Sequence, residues 1–161
     1  MEKMRKPKLY LETSVWNFYY ADDAPDFMEV TRRFFNQVSE DNFDIYISRV
    51  VLDEVEKASL EIQDKLGRLI KQYKPKLLLL EEVADDLAYD YIDSDVLTLK
   101  SLEDCRHAAI ATVNELDYLL SWNMRHLANA NRMQGINAVN IRNGYTKKLE
   151  LVTPAVMSEY E

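Results

Sequence analysis

A single cysteine, Cys105, and two histidines stand among 161 residues. That excludes an internal disulfide and a structural zinc site built from Cys and His ligands, and it predicts a reducing, cytoplasmic compartment. Glycine and proline are scarce, at three and four residues, so no Gly- or Pro-rich linker divides the chain. With 47% hydrophobic residues there is material for one full core but not the length of two typical domains. The expectation is one domain over 1–161, its core from about 8 to 152. No stretch reaches the roughly 18 consecutive apolar residues of a membrane span. The basic opening, Met1 to Lys8, has no apolar run or small-residue cleavage site of an export signal. Bases are outnumbered, 20 Lys and Arg against 28 Asp and Glu for a net charge of −8, which argues against a nonspecific duplex-DNA binder. Basic residues still gather locally: in the opening run, along Lys65, Arg68, Lys71, Lys74 and Lys76, and again at Arg125, Arg132, Arg142, Lys147 and Lys148. The middle group reads best as a solvated helix face.

What the chain does have is an alternation of strand and helix signals. Lys8 to Leu11 reads as a first strand. Asp23-Ala24-Pro25-Asp26 marks a helix start, with an acid cap and an early proline. Phe27, Val30, Phe34, Phe35 and Val38 then recur at helical spacing. Ile45-Tyr46-Ile47 is a second strand, and Ser48 can cap the helix that carries Glu54. A helix from about Glu61 to Tyr73 ends before Pro75. Leu77 to Leu80 is a continuous apolar run, as expected for a parallel strand covered on both faces. Helices near Glu82 to Tyr91 and Leu102 to Glu115 precede a strand ending at Trp122. Ala138 to Ile141 and Leu149 to Val152 close the series as strands around the turn Asn143-Gly144, with Thr153-Pro154 opening a last helix. Strands separated by helices imply right-handed crossovers and a mainly parallel sheet between helical layers, an α/β/α sandwich.

Two strands break off in polar residues where such a sheet opens: Glu12-Thr13-Ser14 after the first, Ser121-Trp122-Asn123 after the late one. In a shared parallel sheet Glu12 and Asn123 meet at its carboxyl edge, where open α/β folds place ligands. Glu54 and Asp104 add acids from two further segments, and four oxygen donors from distant segments suit a hard cation. Each has a plainer explanation. Ser101-x-x-Asp104 is a capping-box pattern, Glu54 could be a solvated helix residue, and Ser121 and Asn123 could be turn formers. Glu12 is harder to dismiss, because a carboxylate directly after an apolar strand is costly unless paired or coordinated. Asp104 shares a helix face with His107, Ala108 and Ala111, whose small side chains permit close approach to a strand end.

In this order the motifs resemble the PIN-domain nucleases, which include the toxins of prokaryotic VapBC-type toxin–antitoxin pairs. The resemblance runs from about Leu9 to Val152. It is closest to a subgroup with Leu-Glu-Thr-Ser and Ser-Trp-Asn-x-x-His-Leu, here Leu11 to Ser14 and Ser121 to Leu127. It implies a PIN-like three-layer sandwich, Mg²⁺ or Mn²⁺ held by acids, and hydrolysis of RNA phosphodiester bonds. Carried over, the catalytic and metal-binding positions fall on Glu12, Glu54, Asp104 and Asn123. Thr13, Ser14, Ser121 and His107 fall beside the substrate. Most PIN nucleases have aspartate at the position of Glu12 and an acid at that of Asn123. The longer glutamate shifts ligand geometry, and the amide removes one charge.

Carboxylate and carbonyl oxygens suit Mg²⁺ and Mn²⁺ rather than zinc or copper, and a bound ion of this kind can acidify water and stabilise a leaving oxygen without any protein nucleophile. A phosphoaspartyl-transfer domain is a competing reading, but it requires aspartate where the first strand ends in Glu12. The other alternative is a catalytically weakened PIN-fold module that binds RNA or protein. An antitoxin is the partner the toxin reading implies. Trp16, Phe18, Tyr19 and Tyr20 form a segment too apolar for a mobile loop, which predicts a homodimer interface, with internal packing as the plainer alternative.

Overall fold

The computed structural model describes residues 5–159. The start of the basic opening run lies outside the described residues. The elements are β1 (Lys8–Leu11), α1 (Thr13–Phe18), α2 (Pro25–Ser39), β2 (Asp44–Ser48), α3 (Arg49–Glu56), α4 (Leu60–Tyr73), β3 (Lys76–Leu78), α5 (Glu82–Asp93), α6 (Leu102–Val113), β4 (Tyr118–Leu120), α7 (Ala130–Arg142), β5 (Glu150–Val152) and α8 (Pro154–Ser158). A single 3-10 turn at Leu99–Ser101 leads into α6.

All five strands are parallel, in the order β3-β2-β1-β4-β5. Helices cover both faces, giving the three-layer α/β/α sandwich that the alternation of elements predicts. The central strand β1 is pinned on both sides, Leu9 opposite Ile45 and Tyr118, and Leu9, Tyr10 and Leu11 are fully buried. Around it lie Trp16, Phe34, Phe35 and Tyr91, also without solvent exposure. Burial of one such side chain contributes about 1.5–3 kcal/mol. Helices α5 and α6 form the most extensive helix pair. Buried Ala84 and Ala88 on one and Ala108, Ala109 and Ala111 on the other let their backbones approach closely.

Several expectations need correcting. Leu77 to Leu80 is no doubly covered strand: β3 is an edge strand ending at Leu78, with Leu77 50% and Leu79 62% exposed. Ala138 to Ile141 belongs to α7, because Ile136, Val139 and Asn140 are buried at helical spacing. Asn140 also satisfies its amide internally, accepting from Tyr91 Oη at 2.5 Å and donating to Thr112 Oγ1 at 3.0 Å. Asp23 does not cap α2, which starts at Pro25 after Ala24, and no side-chain hydrogen bond caps α6 at Ser101. The stripe on α2 is narrower than expected, with Thr31, Phe34 and Phe35 buried and Phe27 40% exposed. Ser48 does cap α3, accepting from Val50 N–H at 3.1 Å. Gly144, at φ +90°, supplies the left-handed turn before β5. The short helix α1 has no counterpart in the sequence reading.

The aromatic segment after β1 turns inward. Trp16 packs 5.1 Å from Phe35, while Phe18 and Phe27 lie 5.9 and 4.8 Å from Trp122. The Trp122 indole N–H donates to Thr31 Oγ1 at 2.8 Å. These contacts tie α1, α2 and the exit of β4 together directly beside the sheet's carboxyl edge.

Candidate metal centre

The chain builds outward from β1 to β2 and β3, then crosses back to place β4 and β5 on the other side of β1. The carboxyl ends of β1 and β4 therefore flank the topological switch point, the crevice where open α/β sheets bind ligands. Glu12 stands there as the N-cap of α1, its own N–H donating to the Leu120 carbonyl at 3.0 Å. Its side chain is only 6% exposed. Three donors converge on Oε1: Ser14 N–H at 3.1 Å, Ser14 Oγ at 2.5 Å and Ser121 Oγ at 2.8 Å. Among the described residues no hydrogen bond reaches Oε2.

Glu54 arrives from α3 and is held in the same manner. Its Oε1 accepts from Thr13 Oγ1 at 3.0 Å and meets His107 Nε2 at 2.5 Å, and its second oxygen has no hydrogen bond among the described residues. The far side of the His107 ring is fixed too: Nδ1 lies 2.5 Å from Tyr10 Oη, which lies 2.7 Å from Ser48 Oγ. Tyr10 and His107 are fully buried. A continuous hydrogen-bonded chain thus runs from the cap of α3 through β1 and α6 to Glu54.

One donor atom each of Glu12, Glu54 and His107 lie within 4.8 Å of one another. Burial opposes charge on the His107 ring, but the Glu54 hydrogen bond and the charges of Glu12, Glu54 and Asp104 outweigh it and raise its pKa above the usual 6.5. Burial likewise opposes ionisation of Glu54, but the His107 and Thr13 contacts hold its carboxyl below the usual range. Each shift favours the charged form of its group. Asp104, on the first turn of α6, is pushed up to about 6, by burial first and then by the charges of Glu12 and Glu54, with His107 and His126 opposing. Burial, aided by the nearby carboxylates, also raises the Tyr10 hydroxyl well above its usual value.

The structure thus brings Glu12 and Glu54 together and sets Asp104 within their field. Asn123 joins differently. Its N–H donates to Ser121 Oγ at 2.9 Å, and its side-chain oxygen accepts from His126 N–H at 3.0 Å, so one lone pair is already engaged in a turn. The hydroxyls of Thr13, Ser14 and Ser121 point at carboxylates. His107, with both nitrogens in internal contacts, stands behind Glu54 and has no exposed surface. Sequence reasoning missed Tyr10 as part of the site and saw Ser48 only as a cap. The signal was available: strand alternation sets Tyr10 opposite its leucine neighbours, and a buried tyrosine hydroxyl requires a partner.

The donor set fits a hard divalent cation. Two carboxylates are each pinned through one oxygen and open at the other, with Asp104 within their field, so their oxygens could hold such an ion.

The fold is an α/β/α sandwich with an all-parallel sheet, consistent with a PIN-like architecture. Among the solved structures it is similar to is a chain of the VapBC2 structure from Rickettsia felis bound to a promoter DNA fragment, with TM-score 0.55 over 89% of this chain and 98% of that one at 14% identity. No family model matches the chain, and no curated protein matches its sequence.

Proposed function

We propose that this chain is a PIN-type endoribonuclease that uses Mg²⁺ or Mn²⁺ to hydrolyse RNA phosphodiester bonds. The observation that carries the reading is the pair of carboxylates at the switch point, each fixed by one oxygen and open at the other. Glu12, Glu54 and Asp104 would hold the cation, with the remaining lone pair of the Asn123 amide oxygen as a neutral fourth donor. When bound there, the cation supplies Lewis acidity toward a phosphate oxygen and lowers the pKa of a water. The chain's own residues do the positioning. Ser14 and Ser121 aim Glu12, while Thr13 and His107 aim Glu54, and the Tyr10–Ser48 contact fixes the His107 ring. Asp104, poised near pH 6, releases its proton readily once positive charge enters the site.

The likeness to a VapBC2 chain supports a further reading as a cytoplasmic toxin with an antitoxin partner. We also propose a homodimer, though Trp16 is spent on the core, so its interface must use other residues. One observation favours the weakened, RNA-binding alternative: the Asn123 side chain is neutral and already caps a turn. A single-stranded RNA cleavage assay with Mn²⁺ separates the two. The nuclease reading expects cleavage that EDTA and Asp104→Ala abolish and that Asn123→Asp raises. Inert wild type with an active Asn123→Asp variant would leave only the binding module. Light scattering near 19 kDa would refute the homodimer.

A further inference from the structure

The turn that follows β4 extends from the acid site to an arginine-lined cleft. Ser121 touches Glu12, and Asn123 N–H donates back to Ser121 Oγ. The Asn123 carbonyl accepts from Leu127 and Ala128 N–H at 3.0 and 2.9 Å. Asn129 then donates to the Met124 and Arg125 carbonyls at 2.9 and 3.2 Å and accepts from Arg132 N–H at 2.9 Å, capping α7. This hydrogen-bonded turn forms, with the start of α7, an open cleft of about 550 Å³ lined by Arg125, Asn129, Asn131 and Arg132.

The two arginines differ from most others in the chain. Arg5, Arg33, Arg49, Arg68 and Arg106 each pair with a carboxylate. Arg125 and Arg132 have no carboxylate partner among the described residues, in a chain of net charge −8. Arg132 is anchored by the Val96 carbonyl, yet its buried Nε finds no acceptor. A guanidinium carries five N–H donors, and the exposed Arg125 has no hydrogen-bond or carboxylate partner for them among the described residues, so it can take an anion beside the anchored Arg132.

We propose that this cleft binds a backbone phosphate of single-stranded RNA next to the phosphate that is cut. The proposal rests on the ribonuclease reading. Three acids crowded at the switch point repel every RNA phosphate not neutralised by the cation, so a strand crossing that edge needs a fixed positive counterpart beside it. Arg125 and Arg132 supply it on the segment that holds Ser121 and Asn123. The Asn131 amide and the N–H groups of Ala130 and Asn131, ahead of the capped Arg132 N–H, add neutral donors.

The test is binding of a fluorescent single-stranded RNA oligonucleotide to the full chain in EDTA, by anisotropy over a series of salt concentrations. Each lost phosphate contact flattens the plot of log K against log salt by about 0.7 for a single strand. Arg125→Ala and Arg132→Ala should each do so, Arg125→Lys should largely restore the slope, and Arg49→Ala, which removes a guanidinium already paired with Asp53, should leave it unchanged. Arg125 is exposed, so Arg125→Glu keeps the test valid if Arg132→Ala fails to fold. It should weaken binding further than alanine. Unchanged slopes in Arg125→Ala and Arg125→Glu, or no RNA binding by wild type at low salt, would overturn the subsite. So would displacement of RNA by polyglutamate of equal charge, which would assign the cleft to an acidic protein segment. Mn²⁺-dependent cleavage by the wild type is scored separately: arginine-dependent slopes without cleavage uphold the subsite and sink the nuclease reading, and cleavage with unchanged slopes does the reverse.

Discussion

If Asp104 serves a cation and not the fold, its carboxylate should make the metal-free protein less stable, and Asp104→Asn should make it more so. The group titrates at about 6 instead of 3.8. The native state thus binds this proton more tightly than the unfolded chain. Native stability falls as pH rises through that window and stays lowered above it. At 1.36 kcal/mol per pH unit, the interval from 3.8 to about 6 sets a ceiling of about 3 kcal/mol. Partial exposure and screening reduce this to about 1–2 kcal/mol. In a chain of this size that corresponds to a rise in Tm of about 2–8 °C for Asp104→Asn at pH 7.5 in EDTA. The same variant should lose the stabilisation that Mn²⁺ gives the wild type. Differential scanning calorimetry measures both, and the advantage of the asparagine should shrink between pH 6 and 4. An Asp104→Asn protein that melts lower than wild type at pH 7.5 in EDTA would refute the reasoning, because it would make the carboxylate a structural partner.

The hydrogen-bonded chain behind Glu54 gives a second expectation: Tyr10→Phe removes the hydroxyl between His107 and Ser48, and urea denaturation should show a loss of about 1–3 kcal/mol. His107, with its pKa raised above 6.5, contributes stability that is complete below the unfolded value and is lost as pH rises through the folded one. The metal-free Tm should therefore decline on the alkaline side of pH 6.5, a slope that His107→Asn should flatten. Mn²⁺ at a hundred times its Kd should stabilise the wild type by about 2.7 kcal/mol, readable as a thermal shift that Glu12→Gln abolishes. Trp122→Phe gives up the bond to Thr31 and should cost about 1–2 kcal/mol by the same denaturation assay.

Much of the architecture was legible because the signals were local. Lys8 to Leu11 and Ile45 to Ile47 read as strands from their β-type apolar runs, the second extending to Asp44–Ser48 in the fold, and Ser48 as a cap from its place before a helical pattern. Leu77 to Leu80 misled because an apolar run does not reveal whether its strand is central or at an edge. Ala138 to Ile141 misled because three apolar residues around an asparagine fit either period, and only the buried partners of Asn140, Tyr91 and Thr112, decide for helix. At the site, polar residues directly after two strands marked the carboxyl edge. What no local pattern carries is partnership: that Ser121 reaches across to Glu12, that His107 is buried behind Glu54, or that Tyr10 braces it from within the sheet. Those contacts join residues 53 to 109 positions apart and exist only once the sheet and its covering helices have assembled. The aromatic segment after β1 was equally ambiguous, since an interface and a core ask for the same side chains. Trp16 went to the core because Phe35 on α2 was there to receive it.

The central claim is that Glu12, Glu54 and Asp104 form one cation site at the switch point of the sheet. Anomalous scattering from crystals of the full chain soaked in Mn²⁺ tests it most directly. The account predicts a manganese peak bridging the open oxygens of Glu12 and Glu54, within coordination distance of Asp104, and absent from Asp104→Asn crystals. Manganese found only on surface carboxylates, with the Glu12 and Glu54 side chains unmoved and no peak between them, would contradict it.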